Sequence, residues 1–177
     1  LSYSVQTGKP LQFPHQTLPV PPFIFGFWFF GRKKDNSMSA SENLGEETER
    51  QFKDHGYQIK YGAKTSKGTR KFTVTPSVES HLAPFIPKEI PNNYLLASVE
   101  QRIELLRGIL HTKDKFYDKR RDNFRITSKN RRQIGQLQYL LESLGMKTKM
   151  DYDNTYKYYT IFFKSRIHLV EYQNQPK

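Results

Sequence analysis

The 177-residue chain contains no cysteine, which excludes disulfide bonds and metal sites built on thiolates. It also lacks a long hydrophobic run. The longest, residues 20–30, is interrupted by Pro21, Pro22 and Gly26 and is too short to cross a bilayer. We therefore expect no membrane among its partners.

Familiar catalytic motifs are missing as well, because the chain shows no glycine-rich phosphate loop and no Ser/His/Asp or Cys/His set. The histidines are scattered without the short spacings that metal sites use. They are His15, His55, His81, His111 and His168. Neither a cofactor nor a metal site is expected from these residues.

Acidic residues are scarce relative to basic ones: 17 Asp and Glu face 29 Lys and Arg, so the formal net charge is +12. The excess is uneven, because residues 1–31 contribute +1, residues 32–85 contribute +3 and residues 86–177 contribute +8. A basic excess concentrated in one half favours a polyanion or an acidic protein as partner. A solvated basic surface that only aids solubility is the alternative.

Aromatic residues are plentiful, and the 13 Phe and 11 Tyr supply large areas for a core. Residues 23–31 are uniformly apolar, which predicts a helix buried on several sides. Ser39 or Ser41 is then predicted to cap a second helix that ends at Gly56. A strand, a polar turn and a second strand are predicted to follow over residues 57–75.

The second half of the chain repeats this succession of elements. Residues 97–112 have the clearest helical pattern, and a hairpin is predicted over residues 116–127. Ser128 is predicted to cap a helix that Gly145 stops. Residues 156–163 are strongly β-prone, which predicts a final strand.

An internal repeat connects the two halves. Residues 52–60 align with residues 141–149, each a helix end, a glycine and a strand start. Gly26 precedes Gly56 by 30 residues, whereas Gly108 precedes Gly145 by 37. The extra residues fall at the predicted hairpin, so we expect a shorter or irregular counterpart around residues 33–40. The duplication predicts a pseudo-twofold αββαββ pair.

Proline marks the ends of the repeat. Residues 1–22 include the run Pro19-Val20-Pro21-Pro22 and have no helical period, which predicts an extended arm. Further prolines at positions 84, 87 and 91 indicate a linker. The predicted segments are an arm (1–22), a first half (23–85), a second half (86–165) and a C-terminal tail (166–177).

Three stretches, Phe23–Arg32, Asp54–Tyr61 and Ile86–Leu110, resemble the LAGLIDADG homing endonucleases, especially the two-motif kind of inteins and phage genomes. The resemblance covers roughly residues 18–165. It implies an α+β fold in which two motif helices pack at the centre and antiparallel sheets form a saddle along DNA. Gly26 and Gly108 match the small residues that let the motif helices approach closely.

The resemblance also implies where a catalytic acid should end each motif helix. Gly31 and Lys113 occupy these two positions, and neither side chain can hold a divalent metal. Phe30 is a further departure, because the family prefers a small residue there. We therefore expect no catalytic residues and no nuclease activity. The alternative is an active endonuclease in which neighbouring acids, Asp35 and Asp114, have taken over the metal.

The basic side chains that match the family's DNA-facing surface are candidates for binding a nucleic acid or a protein partner. In the first half they are Arg32, Lys33, Lys34, Lys64, Lys67, Arg70 and Lys71. In the second half they are Lys113, Lys115, Lys119, Arg120, Arg121, Arg125 and Lys129, with Arg131 and Arg132 at the next helix start.

These expectations define a non-catalytic binding protein derived from a homing endonuclease. Its partner is expected to be double-stranded DNA, an acidic host protein, or both. The specific hypothesis is a phage-encoded regulator of host transcription that binds RNA polymerase or a sigma factor and acts as a monomer in the host cytoplasm. A decayed intein fragment is a further alternative, but the chain has no self-splicing Cys or Ser start and no terminal His-Asn ending.

Overall fold

The computed structural model describes residues 8–41, 45–66, 68–113, 116–165, 167 and 169. The first half contains α1 (Pro22–Gly31), β1 (Met38–Ser41), α2 (Gly45–Asp54), β2 (Gln58–Lys64), β3 (Thr69–Thr75) and α3 (Val78–Leu82). The second half contains α4 (Asn92–Leu95), α5 (Val99–Leu110), β4 (Tyr117–Asp118), β5 (Asn123–Ser128), α6 (Arg131–Ser143), β6 (Thr148–Asp153) and β7 (Tyr158–Phe163). None of the described helices combines the length and the apolar character needed to span a bilayer.

The two motif helices, α1 and α5, pack directly against each other at the centre of the fold. A Cβ atom added at Gly26 would lie less than 3.0 Å from the backbone carbonyl oxygen of Leu105. The same atom at Gly108 would overlap the carbonyl group of Phe23. The prediction that these two glycines allow close packing is confirmed.

Each half contributes one antiparallel sheet. Strand order is β1-β3-β2 in the first sheet and β4-β5-β7-β6 in the second. Helix α2 packs on the first sheet through Thr48 and Phe52, and α6 packs on the second through Ile134, Leu137 and Leu141. One face of each sheet is thus covered by a helix, and the predicted α+β class and αββαββ repeat are confirmed.

The first half is the shorter copy of the repeat, as predicted. Where the second half has the β4–β5 hairpin, the first half has a turn closed by a 2.7 Å hydrogen bond from the Lys33 N–H to the Ser37 carbonyl, followed by β1. Strand β1 pairs with β3 in the register Met38 to Phe72.

Three local predictions were wrong. Ser39 lies within β1 and caps no helix, because Met38 and Ala40 are buried on one face of that strand. Ser128 ends β5, and the cap of α6 is Asn130, whose side chain accepts from the N–H groups of two following residues. Tyr156 lies in the turn before β7, where the Asp153 carboxylate accepts from its N–H group.

Residues 8–20 form neither helix nor strand and lie across the second half of the molecule. The Leu11 N–H donates to the Ser143 carbonyl at 2.8 Å. The Gln101 side-chain amide bonds both backbone groups of Gln16, at 2.9 and 2.7 Å. The extended arm stays a prediction. Residues 1–7 lie outside the described residues, and the four-segment division stays a prediction.

Candidate nucleic-acid interface

The face of the first sheet that α2 leaves uncovered carries two lysines. Alternation along β3 places Lys71 and Thr73 on this face, opposite Phe72 and Val74. Lys60 of β2 pairs with Thr73 and therefore lies beside them. We call the uncovered face of each sheet its open face.

Asp35 lies close to this face, and its carboxylate is 3.3 Å from the Lys71 ammonium. Hydrogen bonds from the side chain and backbone of Ser37, together with Lys71, lower the pKa of Asp35 to about 2. The carboxylate is therefore ionised and already engaged by Ser37 and Lys71.

Arg70 and Lys64, two candidate binding residues, lie on the other side of the first sheet. Both line a cavity of about 220 Å³ between α2 and the sheet. The Arg70 guanidinium is 5.4 Å from the Tyr61 ring centroid. Burial and a hydrogen bond that the Tyr61 hydroxyl donates to Glu49 raise the pKa of Tyr61 to about 12. Arg70 and Lys64 therefore lie on the opposite face of the first sheet from Lys71.

The open face of the second sheet combines basic, polar and aromatic side chains. Arg125, Phe162 and Lys149 form one row across three strands, since both outer residues pair with Phe162. Thr127 and Asp151 belong to the next row on the same face. The Lys149 ammonium is 3.5 Å from the Asp151 carboxylate. This face is less purely basic than that of the first sheet.

Several predicted basic residues lie in exposed turns at the edges of the sheets. In the β4–β5 turn, the Asp118 carboxylate accepts from the backbone N–H groups of Arg120 and Arg121 at 3.0 and 3.3 Å. Their side chains are exposed. The predicted lysines that are exposed and lie outside the strands are Lys33, Lys34, Lys113, Lys119 and Lys129.

Other candidates are engaged elsewhere or lie outside the described residues. The Arg32 guanidinium lies over the Trp28 ring at 4.3 Å from its centroid. Arg132 forms a 2.8 Å ion pair with Glu89, and with Arg131 it lines a groove on the covered side of the second sheet. Lys67 and Lys115 lie outside the described residues.

The predicted acid positions lie at the ends of the paired helices. Gly31 is the last residue of α1, and a Cβ atom there would lie 3.2 Å from the Thr112 methyl carbon. Lys113 is exposed, with its ammonium 5.6 Å from the Phe116 ring centroid. Glycine lacks a side-chain ligand and lysine is cationic, so these two residues do not fit a divalent metal. Within the described part of the chain, no three His, Asp or Glu side chains are grouped to hold one.

A partly buried ionic cluster beside this end of α5 connects the halves. The Arg107 guanidinium contacts Glu47 of α2 at 3.1 Å and Glu104 at 2.8 Å. His111 is fully buried beside it, and burial lowers the pKa of its imidazole. Its Nδ1 lies 2.7 Å from the Arg107 carbonyl oxygen and donates to it, whereas Nε2 has no hydrogen-bond partner among the described residues. His111 is therefore an uncharged core residue.

Lys60 and Lys149 are open-face cations that the sequence-based selection missed. The signal was present for Lys60, because Ile59 and Tyr61 on either side of it are apolar and strand alternation turns it outward. For Lys149 the signal was weaker, since only one of its two neighbours, Met150, is apolar and the other is Thr148.

Solved structures of the homing endonuclease I-DmoI are similar to this chain. One in complex with DNA and Mn has a TM-score of 0.56 at 14% identity and covers 82% of this chain and 89% of that chain. One in complex with DNA and Ca has a TM-score of 0.57 at 15% identity, covering 84% of each chain. Mesophilic variants of I-DmoI give a TM-score of 0.57 at 14% identity, with 84% and 89% covered.

No family profile and no curated protein sequence matches the chain. The structural similarity therefore establishes the fold, which is that of the LAGLIDADG homing endonucleases.

Proposed function

We propose that this protein binds double-stranded DNA across the open faces of its two sheets and does not cut it. The observation that carries the proposal is the placement of Lys60, Lys71, Arg125 and Lys149 on the open faces of a fold that is shared with I-DmoI, a protein solved in complex with DNA. Such cations neutralise phosphates, which supplies most of the affinity of a DNA-binding surface.

Polar side chains between these cations suit the recognition of base edges. Gln58, Thr73 and Thr75 share the open face of the first sheet, and Thr127 lies on that of the second. Glutamine and threonine are among the side chains that bond base edges in the major groove. The proposal is therefore sequence-dependent binding, with phosphate contacts around a polar centre.

The loss of cutting is supported by the residues at the two acid positions. Gly31 offers no ligand, and Lys113 would repel a divalent cation. Asp35, the described candidate for a relocated acid, is bonded to Ser37 and Lys71 beside the first sheet. Hydrolysis assisted by two metals requires carboxylates that hold the ions between the halves.

DNA binding is tested in two steps. Duplexes that the protein retains are first selected from a randomised pool over several rounds. The affinity for the selected duplexes is then measured by fluorescence anisotropy at increasing salt concentrations. We expect a steep loss of affinity with salt. The double variant Lys60→Glu and Lys71→Glu should reduce affinity at least about tenfold, because it removes two phosphate contacts and adds two repulsive charges. Arg131→Glu is the matched control on the covered side and should change affinity by less than about twofold.

The absence of cutting is tested by incubating the selected duplexes with Mg²⁺ or Mn²⁺ and resolving the products on a denaturing gel. Intact strands are expected. A discrete double-strand break would support the alternative, an endonuclease with relocated acids, and Asp35→Asn and Asp114→Asn would then identify the acid responsible.

The more specific part of the proposal is that the protein is a phage-encoded regulator of host transcription, with RNA polymerase or a sigma factor as its partner. The net charge of +12 supports an acidic partner. Pull-down of purified bacterial RNA polymerase, with and without sigma factor, tests this part. If the protein retains neither the polymerase nor the sigma factor at low salt, the transcription-regulator hypothesis is wrong, whereas the DNA-binding proposal is unaffected.

A further inference from the structure

A groove runs along the outer side of the second half, between α6 and the linker that leads to α4. It has a volume of about 1160 Å³ and is open to solvent. We name it the outer groove. It is lined by residues 87–92, Leu95, Leu96, Arg131, Arg132, Gly135, Gln136 and Tyr139.

The outer groove is not part of the proposed DNA surface. Helix α6 buries Ile134, Leu137 and Leu141 toward the second sheet, so its opposite side, which carries Gly135 and Tyr139, faces away from that sheet. The groove is also held in shape by the protein itself. The Gln136 side-chain amide bonds both backbone groups of Ile90, at 2.9 and 2.8 Å.

Gly135 keeps the middle of the groove clear. A glycine inside a helix lowers helix stability, and here no packing requirement explains it, because a Cβ atom at this position would have no heavy atom within 4 Å. Beside this space, Leu96 and Tyr139 are 40% and 41% exposed. The open space above Gly135, with the apolar side chains of Leu96 and Tyr139 beside it, can therefore accept apolar side chains of a partner.

One end of the groove carries an excess of positive charge, which favours an anionic ligand. Arg131 and Arg132 occupy the first turn of α6, which holds no acidic residue. Positive charges at a helix N-terminus are unfavourable, because that end of the helix dipole is itself positive. Arg132 is paired with Glu89, whereas neither Arg131 nor Lys88 has an ion-pair partner in the part of the chain that the structure describes.

We propose that the outer groove docks an acidic amphipathic helix of a partner protein, with its leucine-type side chains over Gly135 and its carboxylates at Arg131 and Lys88. Nucleic acid would satisfy the cations but not the apolar wall. The inference extends the partner-binding part of the proposed function and does not depend on the DNA-binding part.

The test uses the full chain and labelled synthetic helical peptides of about 15 residues. One peptide carries leucines at helical spacing among Glu and Asp, a second has Lys in place of the acids, and a third has Ser in place of the leucines. We expect only the first to bind in the micromolar range by anisotropy, and to shift the backbone amide resonances of Leu96, Gly135 and Tyr139.

Two variants locate the site. Gly135→Trp fills the groove, and Arg131→Glu reverses an exposed charge that has no ion-pair partner among the described residues. Each variant should lower the affinity for the acidic leucine peptide at least about tenfold. Gly135→Ala and the Lys60→Glu, Lys71→Glu double variant are the matched controls, and each should stay within about twofold of the unaltered chain.

Three outcomes would overturn the inference. One is no binding of the acidic leucine peptide at millimolar concentration. Another is binding that Arg131→Glu and Gly135→Trp leave unchanged while both variants retain the native circular dichroism spectrum. The third is displacement of the peptide by a short duplex that shifts the same amides. Loss of DNA binding in the Lys60→Glu, Lys71→Glu variant bears only on the DNA proposal.

Discussion

Arg102 is fully buried, and within the described residues its charge is stabilised by backbone and hydroxyl oxygens and by no ion pair. Its guanidinium donates to the carbonyl groups of Ala97, Ser143 and Leu11 and to the Ser143 hydroxyl. Leu11 belongs to the N-terminal arm, so one side chain joins the arm to α5 and α6. A buried arginine in this position is structural.

Replacement of Arg102 by Met should therefore lower the free energy of unfolding by about 3 kcal/mol, since several buried carbonyls lose a charged donor. Urea unfolding followed by circular dichroism measures the change. Arg120→Met, in the exposed β4–β5 turn, is the control and should alter stability by less than about 0.5 kcal/mol. Equal stability of the two variants would show that the contacts of Arg102 make no net contribution to the free energy of unfolding.

His111 predicts a pH dependence of stability. Burial lowers its pKa below the ordinary value of 6.5, whereas the unfolded chain titrates near that value. The unfolded state therefore binds more protons as the pH falls below 6.5. Stability should be constant at neutral pH and decrease on acidification, with a slope of at most about 1.4 kcal/mol per pH unit.

Urea unfolding at about pH 7.5 and about pH 5.5 measures this decrease. The neighbouring Glu47 is not expected to add to this slope: burial raises the pKa of its carboxyl, but a hydrogen bond from Gln51 and the charges of Arg50 and Arg107 outweigh burial and hold that pKa below its ordinary value. His111→Leu should therefore remove most of the slope in this range, and the exposed His55→Gln should retain it. A slope that persists in His111→Leu would assign the dependence to another group.

Among the secondary-structure elements, the α1–α5 pair depends most directly on the absence of side chains at two positions. Gly26→Ala and Gly108→Ala would each push a methyl group into the backbone of the opposite helix. Each should destabilise the protein by more than about 3 kcal/mol, because neither backbone can withdraw without separating the helices.

Gly135→Ala is the matched control for the glycine substitutions. It adds the same methyl group to a helix where no atom lies within 4 Å, and it should stabilise the protein by about 0.5–1 kcal/mol through helix propensity. Thermal unfolding of the three variants gives the comparison. Destabilisation of similar size at all three positions would argue against close packing as the cause.

The same helices show what the sequence could predict. The buried α1 and the helical span of α5 follow from local patterns, the close approach at Gly26 and Gly108 follows from the resemblance to the homing endonucleases, and the structure contains all three. Strand β1 could not be predicted from a local pattern, because its four residues acquire strand structure only by pairing with β3. Asn130 and Ser128 are both good helix caps, and only the folded β5 decides that the strand includes Ser128.

The candidate interface was less predictable than the fold. Basic residues could be counted from the sequence, but which side of the sheet they occupy depends on strand register. Arg70 and Lys71 are neighbours in the chain and yet lie on opposite faces of the first sheet. The groove beside Gly135 has no sequence signature, because it is formed by two segments whose contacting residues, Ile90 and Gln136, are 46 positions apart in the chain.

At the level of the whole molecule, the two halves share one hydrophobic core. Buried residues of α1, α2 and the first sheet form a continuous cluster with those of α5, α6 and the second sheet. The Glu47–Arg107 ion pair also crosses from one half to the other. Separation of the halves would expose the facing surfaces of α1 and α5, so neither half can unfold alone without losing that burial.

The chain should therefore unfold in one cooperative transition, and its only tryptophan allows a direct test. Trp28 is fully buried in α1 of the first half, where its indole N–H donates to Glu79 at 2.6 Å. Leu137→Ala, in α6 of the second half, should cost about 3 kcal/mol by leaving a cavity. Its urea midpoint measured by Trp28 fluorescence should shift as far as the midpoint measured by circular dichroism. A Trp28 transition that stays at its original midpoint while circular dichroism shifts would show that the halves unfold independently, and that the α1–α5 contact does not couple them.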